Sequence, residues 1–199
     1  MSIEHGGHSS RGAVEAPVTP AKLAHIVLRT TQYAEMVDWY STVLGATISF
    51  EVPNTLCFLT YDDEHHRVAI GTIPGLSERP ERAVGLDHVA FTYGSLGDLI
   101  HTYERLADLG IAPFWTINHG PTMSFYYRDP DQNQVELQVD NFTTAEEVDH
   151  YLATEFPKNP IGVEFDADDL ARRFHSGVSE TELRRRPDIG DRVLGAPLQ

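Results

Sequence analysis

Three side chains of this sequence could together hold a metal ion. His25 and His88 each lie in a short apolar stretch, and Glu136 lies within Val135-Glu-Leu-Gln-Val139, where apolar and polar residues alternate. A period of two points Glu136 away from the apolar row of its strand, so its carboxylate needs a partner. Two imidazoles and one carboxylate, with the remaining positions open, are the usual ligand set of non-haem Fe(II) oxygenases. The sequence therefore predicts a metal site made of His25, His88 and Glu136.

An internal repeat supports the choice of these two histidines. The stretch Leu-Ala-His-Ile-Val around His25 matches Leu-Asp-His-Val-Ala around His88. In the same alignment Val-Ala-Ile around Ala69 matches Val-Glu-Leu around Glu136. A repeat of this length indicates two copies of one structural unit. The small side chain of Ala69 leaves the fourth ligand position open for substrate and oxygen.

Each unit has the same predicted order: a strand, an amphipathic helix and three further strands. Apolar residues at helical spacing predict the helices, and a glycine follows each, as is common where a helix ends. Runs with a period of two, separated by turn residues, predict the strands. In the first unit the predicted elements are Leu23–Leu28, the helix Gln32–Leu44, Ala46–Glu51, Thr55–Tyr61 and His66–Ile73. In the second unit they are Leu86–Phe91, the helix Leu96–Leu109, Ala112–Asn118, Thr122–Arg128 and Gln134–Val139.

The predicted fold class is α+β, with two tandem βαβββ modules and a helical C-terminal extension. The modules span residues 21–75 and 84–140. Residues 1–20 lack apolar periodicity and are predicted to form a flexible arm. Residues 141–199 carry a capping-box pattern and two further helical segments. We expect this extension to pack on the modules or on a neighbouring subunit.

The composition excludes several classes of partner and site. A net charge of −15 disfavours binding to nucleic acid, whose phosphate backbone needs clustered basic residues. The single cysteine, Cys57, excludes an internal disulfide and a multi-cysteine metal site. The apolar runs are too short to span a bilayer, and no signal-peptide pattern opens the chain. No membrane association and a cytoplasmic location are therefore expected.

Two short motifs beside the candidate ligands resemble those of a known family. They are His65-His-Arg-Val-Ala69 and Met123-Ser-Phe-Tyr126, the second of which is followed by Glu136. Together with the doubled unit they make the chain similar to the vicinal oxygen chelate superfamily. More narrowly, it resembles the type I extradiol catechol dioxygenases in a one-domain form. The resemblance covers about Lys22 to Asp140 and implies that the modules form a half-barrel or barrel.

The resemblance also implies roles for further residues. His66 would act as an acid or base beside the substrate, His119 would hydrogen-bond the substrate, and Tyr126 would contact a diol hydroxyl. The implied cofactor is Fe(II), with Mn(II) as the alternative, and the implied partners are an aromatic diol and O2. Members of the family often assemble into dimers or larger rings, so a homo-oligomer is expected. Aromatic residues that offer surface for the ring are Phe114, Trp115 and Phe125.

Two other functions within the same superfamily stay open at this point. Glyoxalase-type and isomerase members complete a four-ligand site with a second acid, and Ala69 stands where that acid would be. Metal-free members bind small molecules, and the joint presence of three ligands with His66 and Tyr126 argues against that function. The asymmetry between Ala69 and Glu136 favours a three-ligand oxygenase site.

Overall fold

The first unit folds into a four-stranded sheet with one helix. Its elements are β1 (Ile26–Arg29), α1 (Tyr33–Leu44), β2 (Thr47–Val52), β3 (Leu56–Thr60) and β4 (Val68–Gly71). The strand order is β1-β4-β3-β2, in which β1 and β4 are parallel and the other pairs antiparallel. The helix α1 ends at Gly45, which has the left-handed φ of 61° that glycine adopts without strain. The computed structural model describes residues 17–77, 80 and 84–192.

The second unit repeats this arrangement and gains one strand. Its elements are β5 (His88–Thr92), α2 (Leu96–Asp108), β6 (Trp115–Asn118), β7 (Thr122–Arg128) and β8 (Gln134–Asp140). A two-residue strand from the C-terminal extension, β9 (Val163–Glu164), completes the order β5-β8-β7-β6-β9. The predicted α+β class with two βαβββ units is confirmed. The strand β9 was not predicted.

Strand alternation separates the core of the second sheet from its functional face. Phe125 on β7 pairs with Leu137 on β8, and both side chains are fully buried. Successive side chains of a strand point to opposite faces. The next pair in the ladder, Tyr126 and Glu136, therefore faces the other side. The prediction that Phe125 lines the pocket is wrong for the same reason, because Phe125 packs against Tyr103 in the core.

The register of the two sheets confirms that Ala69 and Glu136 occupy equivalent places. In the first sheet Ala69 pairs with Val27, which lies two residues after the first histidine of the repeat. In the second sheet Glu136 pairs with Ala90, which lies two residues after the second histidine. Both pairs join the first and fourth strands of a unit in parallel. The acid is therefore present in one unit only.

A buried carboxylate at the turn between β7 and β8 joins the two units. Tyr40 on α1 donates a hydrogen bond to Oδ2 of Asp129 at 3.1 Å. The backbone N–H and the side-chain amide of Asn133 donate to the same carboxylate at 2.8 and 2.9 Å. Both Tyr40 and Asp129 are 1% exposed. Three donors therefore depend on one acceptor that water cannot replace.

The substitution Asp129→Ala should destabilise the fold by at least about 3 kcal/mol, because three donors lose their acceptor and each buried donor left unpaired costs about 1–3 kcal/mol. The free energy of unfolding from urea titration measures the effect. Asp149→Ala, at an exposed carboxylate on the helix 145–154, is the control and should change stability by less than about 0.5 kcal/mol. Equal effects of the two substitutions would contradict this account of the turn.

The C-terminal extension packs on the second unit. Besides β9 it contains α3 (Ala145–Thr154), α4 (Ala167–His175) and α5 (Glu180–Leu183). Thr144 and Glu147 form the predicted capping box at the start of α3. Tyr103 on α2 donates a hydrogen bond to Asp168 on α4 at 2.6 Å, and Phe174 on α4 contacts the same helix. Among the described residues, no helix is long and apolar enough to cross a membrane.

The element boundaries differ from the prediction mainly at the first strands. The ladder of β1 begins at Ile26, so His25 lies just before it and is exposed. His88 is the first residue of β5 and is half-buried. Most of the predicted arm, residues 1–16, and part of the segment between the two predicted modules, residues 78–79 and 81–83, lie outside the described residues.

Candidate functional site

One face of the second sheet carries a row of functional side chains. Trp115 pairs with Tyr126, and Tyr126 pairs with Glu136, across β6, β7 and β8. Paired residues of neighbouring strands lie on the same face, so these three side chains share one surface. Tyr126 and Glu136 are only 5% and 4% exposed. His88 reaches this surface from β5, where its Nε2 lies 3.0 Å from Oε2 of Glu136.

Asp87 fixes the orientation of His88. Its Oδ2 lies 2.7 Å from Nδ1 of His88, so Nδ1 carries a proton and donates to the carboxylate. The other ring nitrogen is thereby directed at Glu136. A carboxylate behind an imidazole is a common arrangement for metal-ligating histidines, because it holds the ring and raises its basicity. No motif in the sequence singles out Asp87.

The environment of Glu136 keeps the Tyr126 hydroxyl protonated. Burial raises the pKa of Tyr126, and the negative charge of Glu136 raises it further. Near neutral pH this phenol is therefore a hydrogen-bond donor. The buried carboxylate of Glu136 in turn needs a positive partner, since an unpaired charge in a low-dielectric site is costly.

His119 stands at the other end of this row. Its Nε2 lies 3.0 Å from the Tyr126 hydroxyl, and its Nδ1 lies 2.5 Å from the carbonyl oxygen of Ile161. Burial lowers the pKa of His119, and the hydrogen bond to the Ile161 carbonyl opposes that shift. The lowered pKa indicates a neutral ring near neutral pH. The structure thus links His119 and Tyr126, which the resemblance placed together beside the substrate.

The first unit contributes a separate group of rings. The His66 ring lies 4.2 Å from that of His25 and stacks on Phe58 at 4.2 Å, measured between ring centroids. His65, which is more exposed, stacks on the outer side of His66 at 4.3 Å. Burial lowers the pKa of His66, and the neighbouring imidazoles lower it further. Nδ1 of His66 is buried and has no hydrogen-bond partner in the described part of the chain.

The predicted ligand set is therefore divided between two clusters. His88 and Glu136 are in contact, whereas His25 lies against His66. Across residues 17–77, 80 and 84–192, no three His, Cys, Asp or Glu side chains stand together as a ready metal site. The chemistry of the donors nevertheless fits a divalent transition metal, because imidazole nitrogens with a carboxylate suit iron and its neighbours. The buried charge of Glu136 also calls for a cation.

Fold and donor chemistry together indicate a member of the vicinal oxygen chelate class. The sequence model of the Glyoxalase/Bleomycin resistance protein/Dioxygenase superfamily matches residues 22–137. The chain belongs to this superfamily, as its motifs predicted.

Two curated relatives of the chain have names that specify a reaction. Over 172 residues the chain is 51% identical to biphenyl-2,3-diol 1,2-dioxygenase 3 of Rhodococcus globerulus, covering 85% of this chain and 90% of the relative. Over 147 residues it is 49% identical to biphenyl-2,3-diol 1,2-dioxygenase 2 of the same organism, covering 73% and 77%.

Two solved structures show the same fold. A glyoxalase/bleomycin resistance protein/dioxygenase domain from Frankia sp. EAN1pec has a TM-score of 0.51 at 20% identity, covering 61% of this chain and 93% of that chain. Lactoylglutathione lyase from Agrobacterium tumefaciens has a TM-score of 0.50 at 21% identity, covering 60% and 94%. At this identity the likeness concerns the fold alone.

Proposed function

We propose that the chain is an extradiol dioxygenase, which opens the ring of an aromatic diol with O2 at a non-haem Fe(II). The observation that carries the proposal is the 51% identity to a biphenyl-2,3-diol 1,2-dioxygenase over 85% of the chain. The relatives confirm the class of reaction predicted from the sequence. The shared face of Trp115, Tyr126 and Glu136 supports it, because aromatic and polar groups converge there.

His25, His88 and Glu136 would hold the metal. A bound Fe(II) supplies positive charge that lowers the pKa of a diol hydroxyl, together with the electron chemistry that O2 requires. Asp87 keeps Nε2 of His88 directed toward the ligand position. Ala69 provides no competing acid at the equivalent place in the first sheet.

The remaining side chains would bind and orient the diol. The Tyr126 hydroxyl can donate its one proton to Nε2 of His119, which leaves the phenol oxygen able to accept a hydrogen bond from a diol hydroxyl. His66 is neutral because its pKa is lowered, so it can accept a proton from the diol and return it later. Trp115 and Phe114 flank Tyr126, with ring centroids 4.9 and 6.2 Å from it, and offer apolar surface to an aromatic ring.

Oxygen uptake tests the proposed reaction directly. Protein purified anaerobically and loaded with Fe(II) is mixed with a panel of catechols that includes biphenyl-2,3-diol. Consumption of O2 with appearance of a yellow ring-opened product is the expected result. Iron-loaded protein that consumes no O2 with any catechol would overturn the proposal. Parallel loading with Mn(II) and metal analysis decide which ion supports turnover.

We also propose that the protein assembles into a homo-oligomer. The edge strand β2 exposes Ile48, Phe50 and Val52, which are 49%, 50% and 43% exposed. An unpaired edge with large apolar side chains is a site where another chain can add. Light scattering coupled to size-exclusion chromatography measures the mass, and a monomer at all concentrations would contradict this assignment.

Adjacent tyrosines on β7 provide a matched test of the substrate contact. Tyr126→Phe should lower kcat/KM by about 10- to 100-fold, because it removes the hydrogen bonds of the hydroxyl to His119 and to the diol, each worth about 0.5–1.5 kcal/mol. Tyr127→Phe, on the opposite face of the strand, is the control. The Tyr127 hydroxyl is buried without a hydrogen-bond partner among the described residues, so its loss should not reduce activity or stability. Steady-state kinetics showing equal losses would refute the role of Tyr126.

A further inference from the structure

The C-terminal extension reaches the candidate site through one short turn. The superfamily match ends at residue 137, so the extension is an addition to the common fold. Within it, residues 159–162, here termed the 159–162 turn, lie against the backbone of Asn118 and His119. Directly after the turn, β9 pairs with β6, the strand that leads into His119. A segment outside the common fold therefore contacts a residue assigned to the substrate.

The contact determines which nitrogen of His119 carries the proton. A carbonyl oxygen can only accept a hydrogen bond, so Nδ1 of His119 must donate to Ile161. In a neutral imidazole the other nitrogen is then an acceptor. Nε2 of His119 consequently accepts from the Tyr126 hydroxyl, 3.0 Å away. The direction of the Tyr126 O–H bond thus depends on a backbone carbonyl in the extension.

The 159–162 turn is built rigidly enough to hold that carbonyl in place. Asn159 is 3% exposed, and its Oδ1 accepts from the N–H groups of Ile161 and Gly162 at 3.2 and 2.8 Å. Its amide donates to the carbonyl of Gly162 at 3.0 Å, and Arg192 donates to the same oxygen at 2.8 Å. The Asn159 side chain therefore holds the turn both as an acceptor and as a donor of hydrogen bonds.

Gly162 allows the turn to approach His119. Its φ of 116° lies in the region that favours glycine. A Cβ at this position would overlap the carbonyl of Asn118 and come within 2.8 Å of the Cα of His119. Any larger residue must therefore move the turn away from the histidine. Gly177 has a φ of 86° in the same extension, but a Cβ there meets nothing within 4 Å.

We propose that the 159–162 turn is a positioning element of the site: through the carbonyl of Ile161 it sets the tautomer of His119 and so the direction in which Tyr126 presents its hydroxyl proton. The turn would act through His119 and not on the substrate itself. Its importance for catalysis rests on the proposed dioxygenase function, whereas its effect on the tautomer does not.

Histidine NMR tests the tautomer without any turnover. Long-range 15N–1H spectra at a pH near 8, well above the ordinary histidine pKa of about 6.5, distinguish the two neutral tautomers. The His119 signals are assigned by their absence in His119→Gln. In the wild-type protein, Nδ1 of His119 should be protonated and Nε2 unprotonated. A wild-type spectrum with Nε2 protonated would overturn the proposal at once, whatever the enzyme's activity.

Two glycine variants then test the turn itself. Gly162→Ala should shift His119 toward the other tautomer and lower kcat for diol cleavage by about 10²-fold, as expected when a reacting group is misplaced by about 1 Å. Gly177→Ala also places a side chain at a positive φ, but its Cβ overlaps no neighbouring atom. It should leave both the His119 tautomer and kcat unchanged. An unchanged His119 tautomer in folded Gly162→Ala would refute the positioning role.

Asn159 provides a second pair of variants if Gly162→Ala does not fold. Asn159→Ala removes the acceptor that holds the N–H groups of Ile161 and Gly162, and it should produce the same tautomer shift. Asn159→Asp keeps the acceptor for these two N–H groups but loses the donor to the Gly162 carbonyl, so its spectrum should lie between those of Asn159→Ala and the wild type. If the tautomer responds but no variant or wild-type protein cleaves a diol, the proposed function fails while the positioning role stands.

Discussion

Replacing Glu136 by glutamine is expected to lower kcat/KM for ring cleavage by at least about 10³-fold. The substitution keeps the shape of the side chain but removes the acid whose place in the first unit is taken by Ala69. Metal assistance contributes several kcal/mol to a transition state, and about 1.4 kcal/mol corresponds to each factor of ten in rate. The loss should appear in kcat as well as in kcat/KM.

The metal-free forms separate this effect from a folding defect. Wild-type protein should melt at a higher temperature when Fe(II) or Mn(II) is added, since a ligand at 100 times its Kd stabilises the fold by about 2.7 kcal/mol. Glu136→Gln should lack this increase, and its metal-free form should be at least as stable as wild type, because a buried charge is removed. A metal-dependent melting temperature in Glu136→Gln would contradict the assignment of Glu136 as a ligand.

Gln138 offers the matched control on the same strand and face. It lies two residues from Glu136, and its amide donates to Thr92 at 2.9 Å on the surface. Gln138→Ala should retain both metal binding and activity within about a factor of two, since surface substitutions of this kind change stability by less than about 0.5 kcal/mol. Equal losses in Glu136→Gln and Gln138→Ala would indicate general damage to β8.

The sequence predicts most of this fold because the information is local. The helices α1 and α2 follow from apolar spacing and the glycines after them, and the strand β7 is predicted at Thr122–Arg128 as observed. The register equivalence of Ala69 and Glu136 also follows, since both lie in parallel ladders of the same construction. Alternation along β7 assigns Tyr126 and Tyr127 to opposite faces, as the structure shows.

What the sequence does not predict depends on long-range or backbone contacts. β9 has two residues and no periodicity, and it exists only because β6 offers an edge. The Ile161 carbonyl that holds His119 belongs to the main chain, so no residue type indicates it. Asp87 could have been suspected, because an acid directly before a candidate metal-ligating histidine can orient its ring. Alternation along β7 could equally have excluded Phe125 from the pocket.

The site is divided between the two units in a way that assigns each a different task. The second unit supplies Glu136, His88 and the hydrogen bond between Tyr126 and His119, all on one face. The first unit supplies His25 against the stacked ring of His66. The proton transfer proposed for His66 can therefore be removed without altering the second unit.

The substitution His66→Phe is expected to lower kcat by about 10²- to 10⁴-fold, the range that a positioned acid or base contributes. Phenylalanine preserves the stacking on Phe58 and the contact with His25 but cannot carry a proton. Because Nδ1 of His66 has no partner among the described residues, no hydrogen bond to that atom is lost. Stability should be unchanged or slightly increased, since an unsatisfied buried nitrogen disappears.

His65→Phe makes the same exchange at the neighbouring, more exposed ring. It should retain kcat within about a factor of three, because this exposed ring is not assigned a role in proton transfer. Both variants should bind metal as wild type does, which metal analysis after gel filtration measures. Full activity in His66→Phe, or an equal loss in His65→Phe, would exclude His66 as the acid or base and leave proton transfer to His119 and Tyr126.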